Sequence, residues 1–335
     1  MSARKPFFIA GVQVAPGETQ DIRMKISETY TGDSITIPMR VSHAAQNGPR
    51  VFVSAAVHGD ELNGTGIIHE LMFDKSLQLQ SGTLLLIPVV NVFGFENNER
   101  YLPDRRDLNR AFPGRPSGTL ASRIAATFTR EVILQCDYGI DLHSAGAYRT
   151  NFPNVRGNLK LPAVRRIAEA FGCELILDVK GPAGSLRRAA CNKRCATIIL
   201  EAGEIFKIEP KVVKVGVTGI KNVLTRLKML QGTVEKPLYQ IKVRKFKWVR
   251  ASVGGILKCH IKPGEIVTTG QPLATNFDIL GERQKIIKSP DEGVILSVVT
   301  APTVKPGDPV CHIAIPEMGT SVISKTLNRA KESGE

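Results

Sequence analysis

Short apolar runs alternate with helical patterns over the first 235 residues. Five runs are typical of buried strands: residues 51–57, 83–90, 138–142, 174–179 and 197–200. Apolar residues that recur every three or four positions predict helices in three further segments: residues 120–132, 162–171 and 210–230. Strands that alternate with helices indicate an α/β domain with a largely parallel sheet, which we assign to residues 1–235.

The pattern becomes all-β after residue 235. Residues 236–318 contain short alternating runs and Pro-Gly turns, with no helical period. Lys262–Val267 and Lys305–Val310 share a Lys-Pro-Gly turn followed by an acidic residue, so the segment resembles a biotinyl/lipoyl-type barrel–sandwich module with two similar halves. Residues 280–285, between the halves, lack the Met-Lys-Met context of a carrier lysine. We therefore predict a structural module rather than a carrier, followed by a polar tail at 319–335.

The chain is strongly basic. Its 335 residues include 45 Lys and Arg against 31 Asp and Glu, a formal net charge of +14. Such a charge attracts anions of any kind. Residues 242–250 interleave aromatic and basic side chains, a pattern that nucleic-acid-binding strands also use. No nucleic-acid motif accompanies it, so we expect no nucleic-acid partner and interpret the segment as an exposed strand that steers anionic substrates.

The hydrophobic pattern of the sequence predicts neither a membrane span nor a secretory signal. No apolar stretch approaches the ~20 residues of a membrane span, so we expect no membrane partner. Residues 7–10 form the first apolar run, which is too short for a secretory signal. Six cysteines in such a chain are typical of reduced thiols. These features predict a cytoplasmic protein and leave homo-oligomerisation open.

Ionisable side chains follow several predicted strands. His58 and Glu61 come after the first strand, while His143 and Glu201 end two later ones. Ligands of open α/β sheets bind at the carboxyl ends of the strands, so we expect these groups to meet at one edge. Two imidazoles and a carboxylate are a common ligand set of catalytic zinc. We therefore predict one Zn²⁺ on His58, Glu61 and His143, with Glu201 as general base and acid.

Two further features surround these groups. Asp141 lies two residues before His143 on the same strand face, and we predict that it orients that histidine through a hydrogen bond. The loop at residues 91–114 is rich in arginine, whose planar fork suits a substrate carboxylate or an oxyanion. His260 and His312 fall in the β module, and we expect them to lie away from the site.

Four motifs occur in an order that carries a family resemblance: His58-Gly59-Asp60-Glu61, Asp107-Leu108-Asn109-Arg110, Asp141-Leu142-His143 and Glu201-Ala202-Gly203. Over roughly residues 45–316 the chain resembles the succinylglutamate desuccinylase/aspartoacylase family of the zinc carboxypeptidase superfamily. The resemblance implies a zinc-carboxypeptidase-like sheet flanked by helices. It also implies that His58, Glu61 and His143 bind zinc and that Glu201 is the catalytic carboxylate.

The same resemblance implies roles for four polar side chains. Asn109 and Arg110 match the pair that holds the substrate carboxylate. Arg100 matches the arginine that polarises the scissile carbonyl, and Arg187 matches an arginine that contacts an acidic acyl group. The implied function is a zinc-dependent deacylase of a small anionic N-acyl amino acid, in which Glu201 activates a zinc-bound water. A carboxypeptidase acting on acidic peptide tails and a non-catalytic zinc-binding relative remain the alternatives.

Overall fold

The computed structural model describes residues 4–317 and, beyond them, 319–321, 323, 325 and 326. The strands of the first two thirds are β1 (Phe7–Ile9), β2 (Val12–Val14), β3 (Glu18–Glu28), β4 (Ser34–His43), β5 (Gln46–Ala55), β6 (Ser81–Ile87), β7 (Tyr138–His143), β8 (Arg149–Gly157), β9 (Leu175–Asp178) and β10 (Ala196–Gly203). The helices are α1 (Asn63–Phe73), α2 (Val92–Glu96), α3 (Leu120–Glu131), α4 (Pro162–Phe171), α5 (Leu186–Asn192) and α6 (Pro210–Arg226), with 3₁₀ turns at Leu108–Arg110 and Ile133–Gln135. The strands that follow are β11 (Ile241–Val243), β12 (Lys245–Arg250), β13 (Gly255–Cys259), β14 (Ile266–Val267), β15 (Pro272–Phe277), β16 (Gln284–Lys288), β17 (Gly293–Val299), β18 (Thr303–Val304) and β19 (Pro309–Ile315).

A mixed sheet of 13 strands forms the centre of the molecule. Its main path runs β12-β19-β17-β8-β10-β7-β5-β6-β4-β3, and the neighbours β6, β5, β7 and β10 are parallel. Helices α1, α4 and α6 pack on one face around one buried apolar cluster, and α3 and α5 pack on the other around a second. Both clusters are apolar because each face of the central strands is covered. The predicted α/β class is confirmed.

Each predicted strand and helix of the first 235 residues is present, but the sheet has members that the pattern did not reveal. The hairpin of β3 and β4 extends one edge, with Ile22, Met24 and Ile26 buried and polar residues between them. Strand β8 runs antiparallel to β10. Its run of apolar residues is interrupted by the buried Asn151 and Asn154, which explains why periodicity alone did not indicate a strand.

Helix α6 packs more closely than its apolar residues suggest. Val213 and Val217 belong to the apolar pattern of the helix, yet both are only partly buried. Gly216 and Gly219 lie there instead, where an added Cβ would approach Ile67 and Phe171 to 2.3 and 2.2 Å. The two glycines let the helix backbone come close to its neighbours.

The C-terminal region is all-β, as predicted. Strands β16, β15, β13 and β18 form a separate four-stranded sheet. It packs against β12, β19 and β17 around buried residues that include Val249, Leu273 and Ile313. The large sheet is continuous across position 235, because β17 pairs with β8 and β11 pairs with β9.

The predicted polar tail, 319–335, lies largely outside the described residues. In the part of the chain that is described, no helix is long and apolar enough to cross a bilayer. The cytoplasmic location stays a prediction.

Candidate active site

Three predicted metal ligands meet at the carboxyl ends of β5 and β7. The Nδ1 atom of His58 lies 2.6 Å from Glu61 Oε1, and the Nδ1 atom of His143 lies 2.9 Å from Glu61 Oε2. One ligand atom from each residue lies within 4.8 Å of the other two. All three side chains are at most 4% exposed. The described residues thus contain a buried group whose atoms are close enough to share one ion.

The outer nitrogens of both histidines are also held by carboxylates. His143 Nε2 lies 2.8 Å from Asp141 Oδ2, and Ser54 Oγ donates to the other oxygen of Asp141 at 2.7 Å. His58 Nε2 lies 3.1 Å from Asp107 Oδ1. Histidines that bind metals usually donate their second N–H in this way, which aims the first nitrogen at the ion. The geometry agrees with the predicted role of Asp141 and adds Asp107, whose contact with His58 the sequence did not indicate.

The electrostatics of this group favour a cation. Burial alone raises the pKa of Glu61, but the charges and hydrogen bonds of His58 and His143 outweigh it and lower that pKa. Burial lowers the pKa of His143, yet Asp141 and Glu61 raise it well above its usual value. The negative potential therefore attracts positive charge to the nitrogens. Two imidazoles, one carboxylate and this potential fit a divalent ion such as Zn²⁺.

The turn that carries His58 and Glu61 depends on a close backbone contact. Gly59 lies against α2, and an added Cβ would come within 2.0 Å of the Gly94 carbonyl carbon. Only glycine fits such an approach. The turn is thereby fixed between the end of β5 and the start of α1.

Glu201 lies one strand away from the metal group. It is the register partner of His143 on the parallel strands β10 and β7. Asn151 Nδ2 donates to Glu201 Oε2 at 3.1 Å, and Arg156 Nη1 lies 3.5 Å from Oε1. Asn154 Nδ2 donates to the backbone oxygen of Glu201 at 3.1 Å. Strand β8 therefore holds the predicted base by both carboxylate oxygens and by its backbone.

The loop between β6 and α3 supplies the predicted substrate-binding side chains. Arg100 donates to Glu61 Oε1 at 3.2 Å and to Asp107 Oδ2 at 3.3 Å. Arg110 Nη1 donates to the backbone oxygen of Asn109 at 2.7 Å. The Asn109 Oδ1 atom accepts a hydrogen bond from the first residue of α5 at 2.8 Å, so this pair is anchored beside that helix.

Arg187 is a buried cation with an unused donor. It is 5% exposed, and its Nη1 atom has no hydrogen-bond partner among the described residues. Burial, together with the charge of Arg156, lowers the pKa of Arg187 to about 10. Gly181 and Gly184, both at positive φ, bring their loop close to Arg187 and to the Arg110 backbone. The loop thereby forms part of the wall of the site.

A cavity of about 820 Å³ connects the metal group, Glu201 and the arginines. It is lined by each side chain that the sequence singled out for the site: His58, Glu61, Arg100, Asn109, Arg110, Asp141, His143, Arg187 and Glu201. Their placement together is observed, while their chemical roles remain predictions. Further polar or aromatic side chains that the sequence did not assign to the site also line it, among them Arg149, Asn151, Arg156, Trp248, Ser297 and His312.

The C-terminal region thus reaches the site more directly than expected. His312 does not lie apart from the site, because it lines the cavity. In the basic segment, Lys242, Arg244 and Lys247 pair with nearby carboxylates, whereas Trp248 of the same segment faces the cavity. The segment contributes an aromatic wall, and three of its cations are already neutralised.

Comparison with characterised sequences identifies related deacylases. A chain from Halomonas elongata, N-alpha-acetyl-L-2,4-diaminobutyric acid deacetylase, is 25% identical over 295 residues, which cover 84% of this chain and 86% of the relative. The succinylglutamate desuccinylase of Burkholderia pseudomallei is 37% identical over 97 residues, 29% of this chain and 27% of that one.

Solved structures share the fold. A succinylglutamate desuccinylase from Silicibacter sp. TM1040 superposes with a TM-score of 0.79 at 24% identity, covering 93% of this chain and 98% of that chain. The product-bound ectoine utilization protein EutE (DoeB) from Ruegeria pomeroyi gives 0.78 at 23% identity, covering 92% and 98%. A model of the succinylglutamate desuccinylase/aspartoacylase catalytic domain matches residues 47–227, more than half of the sequence. The chain belongs to the succinylglutamate desuccinylase/aspartoacylase family.

Proposed function

We propose that this protein is a zinc-dependent hydrolase that cleaves the amide bond of a small N-acyl amino acid with a free carboxylate. The observation that carries the proposal is the buried group of His58, Glu61 and His143 with Glu201 one strand away. The names of two relatives, a diaminobutyric acid deacetylase and a succinylglutamate desuccinylase, support it, since both denote removal of an acyl group.

In this proposal His58, Glu61 and His143 would hold the ion, the two histidines through the nitrogens that face Glu61. A bound zinc ion would supply Lewis acidity, which acidifies water and polarises a carbonyl oxygen. Asp107 and Asp141 keep the outer nitrogens of the two histidines protonated, so that the inner nitrogens stay available as ligands.

Glu201 moves the proton of the reaction. Its carboxylate accepts a proton from the attacking water while the water oxygen bonds to the acyl carbon. The same carboxyl group then returns the proton to the amide nitrogen as the carbon–nitrogen bond breaks, which releases a carboxylic acid and an amino acid. Asn151 and Arg156 keep both Glu201 oxygens oriented during these transfers.

The arginines place the substrate. Asn109 and Arg110 bind the free carboxylate of the amino acid, and Arg100 donates to the scissile carbonyl oxygen as negative charge develops there. Arg187, with its unpaired buried Nη1, suits an anionic group elsewhere on the substrate.

The test is an assay of the zinc-loaded protein with N-acetyl and N-succinyl amino acids, including Nα-acetyl-2,4-diaminobutyrate and N-succinylglutamate, with released amine as the readout. We expect hydrolysis of at least one. Glu201→Gln is expected to lose about 10²–10⁴-fold in kcat while keeping its zinc. Full activity after exhaustive chelation, or unchanged turnover in Glu201→Gln, contradicts the proposal.

The alternatives give different results in the same assay. A carboxypeptidase acting on acidic tails cleaves glutamyl peptides and leaves the N-acyl amino acids intact. A non-catalytic relative binds zinc and releases no amine from either set.

A further inference from the structure

The cavity is lined by more arginines than carboxylates. Among the described residues, five arginines and three carboxylates line it: Arg100, Arg110, Arg149, Arg156 and Arg187 against Glu61, Asp141 and Glu201. Asp107, which pairs with Arg100, adds one carboxylate and leaves the arginines in excess. A zinc ion on the metal group would raise the positive charge further, so one substrate carboxylate on Asn109 and Arg110 does not offset it. Because such an excess attracts anions, the cavity suits a substrate with a second anionic group.

Arg149 is a cation of this cavity without a polar partner. Its guanidinium makes no hydrogen bond and no ion pair with the described residues. Burial lowers the pKa of Arg149, and the carboxylate that opposes this shift, Glu201, is already held by Asn151 and Arg156. Arginine nevertheless stays charged near neutral pH. The first residue of β8 therefore brings a charged guanidinium with unused donors to the cavity.

An aromatic ring of the C-terminal region holds Arg149 instead. The Cζ atom of Arg149 lies 5.3 Å from the centroid of the Trp248 ring, a distance at which the indole attracts a cation. Trp248 is itself fixed by His312, whose ring is parallel to it within 2° at a centroid distance of 4.1 Å. Gly146 also borders the guanidinium, since an added Cβ would lie 2.7 Å from Arg149 Nη2. The guanidinium is thus positioned by contacts that leave its hydrogen-bond donors unpaired.

We propose that Arg149 binds a second carboxylate of the substrate, besides the one on Asn109 and Arg110, and that Trp248 is the positioning residue that holds the Arg149 guanidinium for it. The inference rests on the proposed function. The planar fork of an arginine matches both oxygens of a carboxylate. That carboxylate belongs either to the acyl group or to the side chain of the amino acid, and the experiment distinguishes these two sources.

Binding tests Arg149 without turnover. Zinc-loaded Glu201→Gln protein is titrated in a calorimeter with two pairs of compounds, each of which replaces one carboxylate by a carboxamide. N-succinyl-L-alanine is compared with N-succinamoyl-L-alanine, and N-acetyl-L-glutamate with N-acetyl-L-glutamine. We expect the carboxylate to bind roughly 10- to 100-fold more tightly in at least one pair, which identifies the source. Equal affinities within both pairs, or no binding of any compound, overturns the proposal.

Variants in the same background then assign this carboxylate preference, the ratio of affinities within a pair. Arg250 offers a matched control: its Cζ also lies over the Trp248 ring, at 6.0 Å, but its side chain bonds to the Gly307 oxygen and does not line the cavity. Arg149→Gln should lower the preference roughly tenfold or more, and Arg250→Gln should leave it unchanged. A preference that persists in Arg149→Gln, or falls equally in Arg250→Gln, refutes the role of Arg149.

Two variants of Trp248 test its positioning role. Trp248→Leu should lower the preference roughly tenfold, while Trp248→Phe, which keeps an aromatic face, should retain most of it. In the Arg149→Gln protein, Trp248→Leu should have no further effect, because it acts through that guanidinium. An additive loss, or equal losses in Trp248→Leu and Trp248→Phe, contradicts the positioning role.

Amine release from the wild-type protein keeps this proposal apart from the proposed function. If none of the four compounds is hydrolysed, the proposed function fails, and the titrations with Arg149→Gln still decide whether Arg149 binds the second carboxylate.

Discussion

The metal group and Arg187 differ in how their polar atoms are satisfied. In the metal group, all four ring nitrogens of His58 and His143 lie within 3.1 Å of carboxylate oxygens. Arg187, on the neighbouring helix α5, is buried, and its Nη1 atom has no hydrogen-bond partner among the described residues. The metal group is complete before substrate arrives, while Arg187 has a contact left to make.

The difference has an energetic meaning. Burying a charged group without a partner is costly, so an unpaired buried guanidinium is retained where a ligand completes it. The histidines carry no such cost, because their neighbours fix them in place. In the proposed function, the metal group supplies the chemistry and Arg187 is left to contact the substrate.

The largest expected effect comes from breaking the metal group. In His143→Ala the zinc content should fall to near background. Losing a residue that only hydrogen-bonds to a metal ligand costs up to roughly 100-fold in activity, so losing the ligand itself should cost more. Metal analysis of the dialysed protein and the amine-release assay measure both. His69→Ala is the control, since His69 is exposed on α1. Retention of a full zinc equivalent by His143→Ala contradicts the assignment.

Replacing Arg187 should weaken substrate binding and raise the stability of the fold. In Arg187→Met we expect KM for an anionic substrate to rise roughly 10- to 100-fold, with zinc content unchanged. The free energy of unfolding should rise by about 1–3 kcal/mol, because an unsatisfied buried charge is removed. Kinetics and urea unfolding test these two changes. Arg188 lies on the same helix but does not line the cavity, so Arg188→Met is the control and should leave KM unchanged. If Arg187→Met instead lowers the free energy of unfolding, the Arg187 guanidinium has partners in the folded protein.

The smallest expected effect concerns pH at the aromatic wall. The pKa of His312 is lowered to about 4, first by burial and then by Arg156 and Arg149. Between pH 4 and 6.5 the unfolded chain binds more protons at this residue, so its contribution lowers the free energy of unfolding as the pH falls. The slope should be below about 1 kcal/mol per pH unit, because the ring is only partly buried.

We expect His312→Phe to reduce this slope in metal-free protein. Urea unfolding at about pH 5 and about pH 7.5 measures it, with His69→Phe as the exposed control. If wild type and His312→Phe have the same slope, burial and the nearby arginines do not lower the pKa of His312.

Much of the site within residues 1–235 could be predicted from the local sequence pattern. The strand ends that carry His58, His143 and Glu201 were predicted where they lie, because parallel strands bring their carboxyl ends to one edge. Asn109 and Arg110 were identified by resemblance, and the cavity contains them. The hairpin β3–β4 was missed, although Ile22, Met24 and Ile26 alternate with polar residues there.

The sequence by itself determined the central parallel strands, the helices α3, α4 and α6, and the groups that follow the strand ends, because periodicity is a local property. Tertiary structure alone decided which distant residues join them. Asn151 and Ser297 become neighbours through the pairing of β8 with β17, and Trp248 meets His312 through β12 and β19. Strand register over such separations depends on the packing of the whole sheet, which no short stretch encodes.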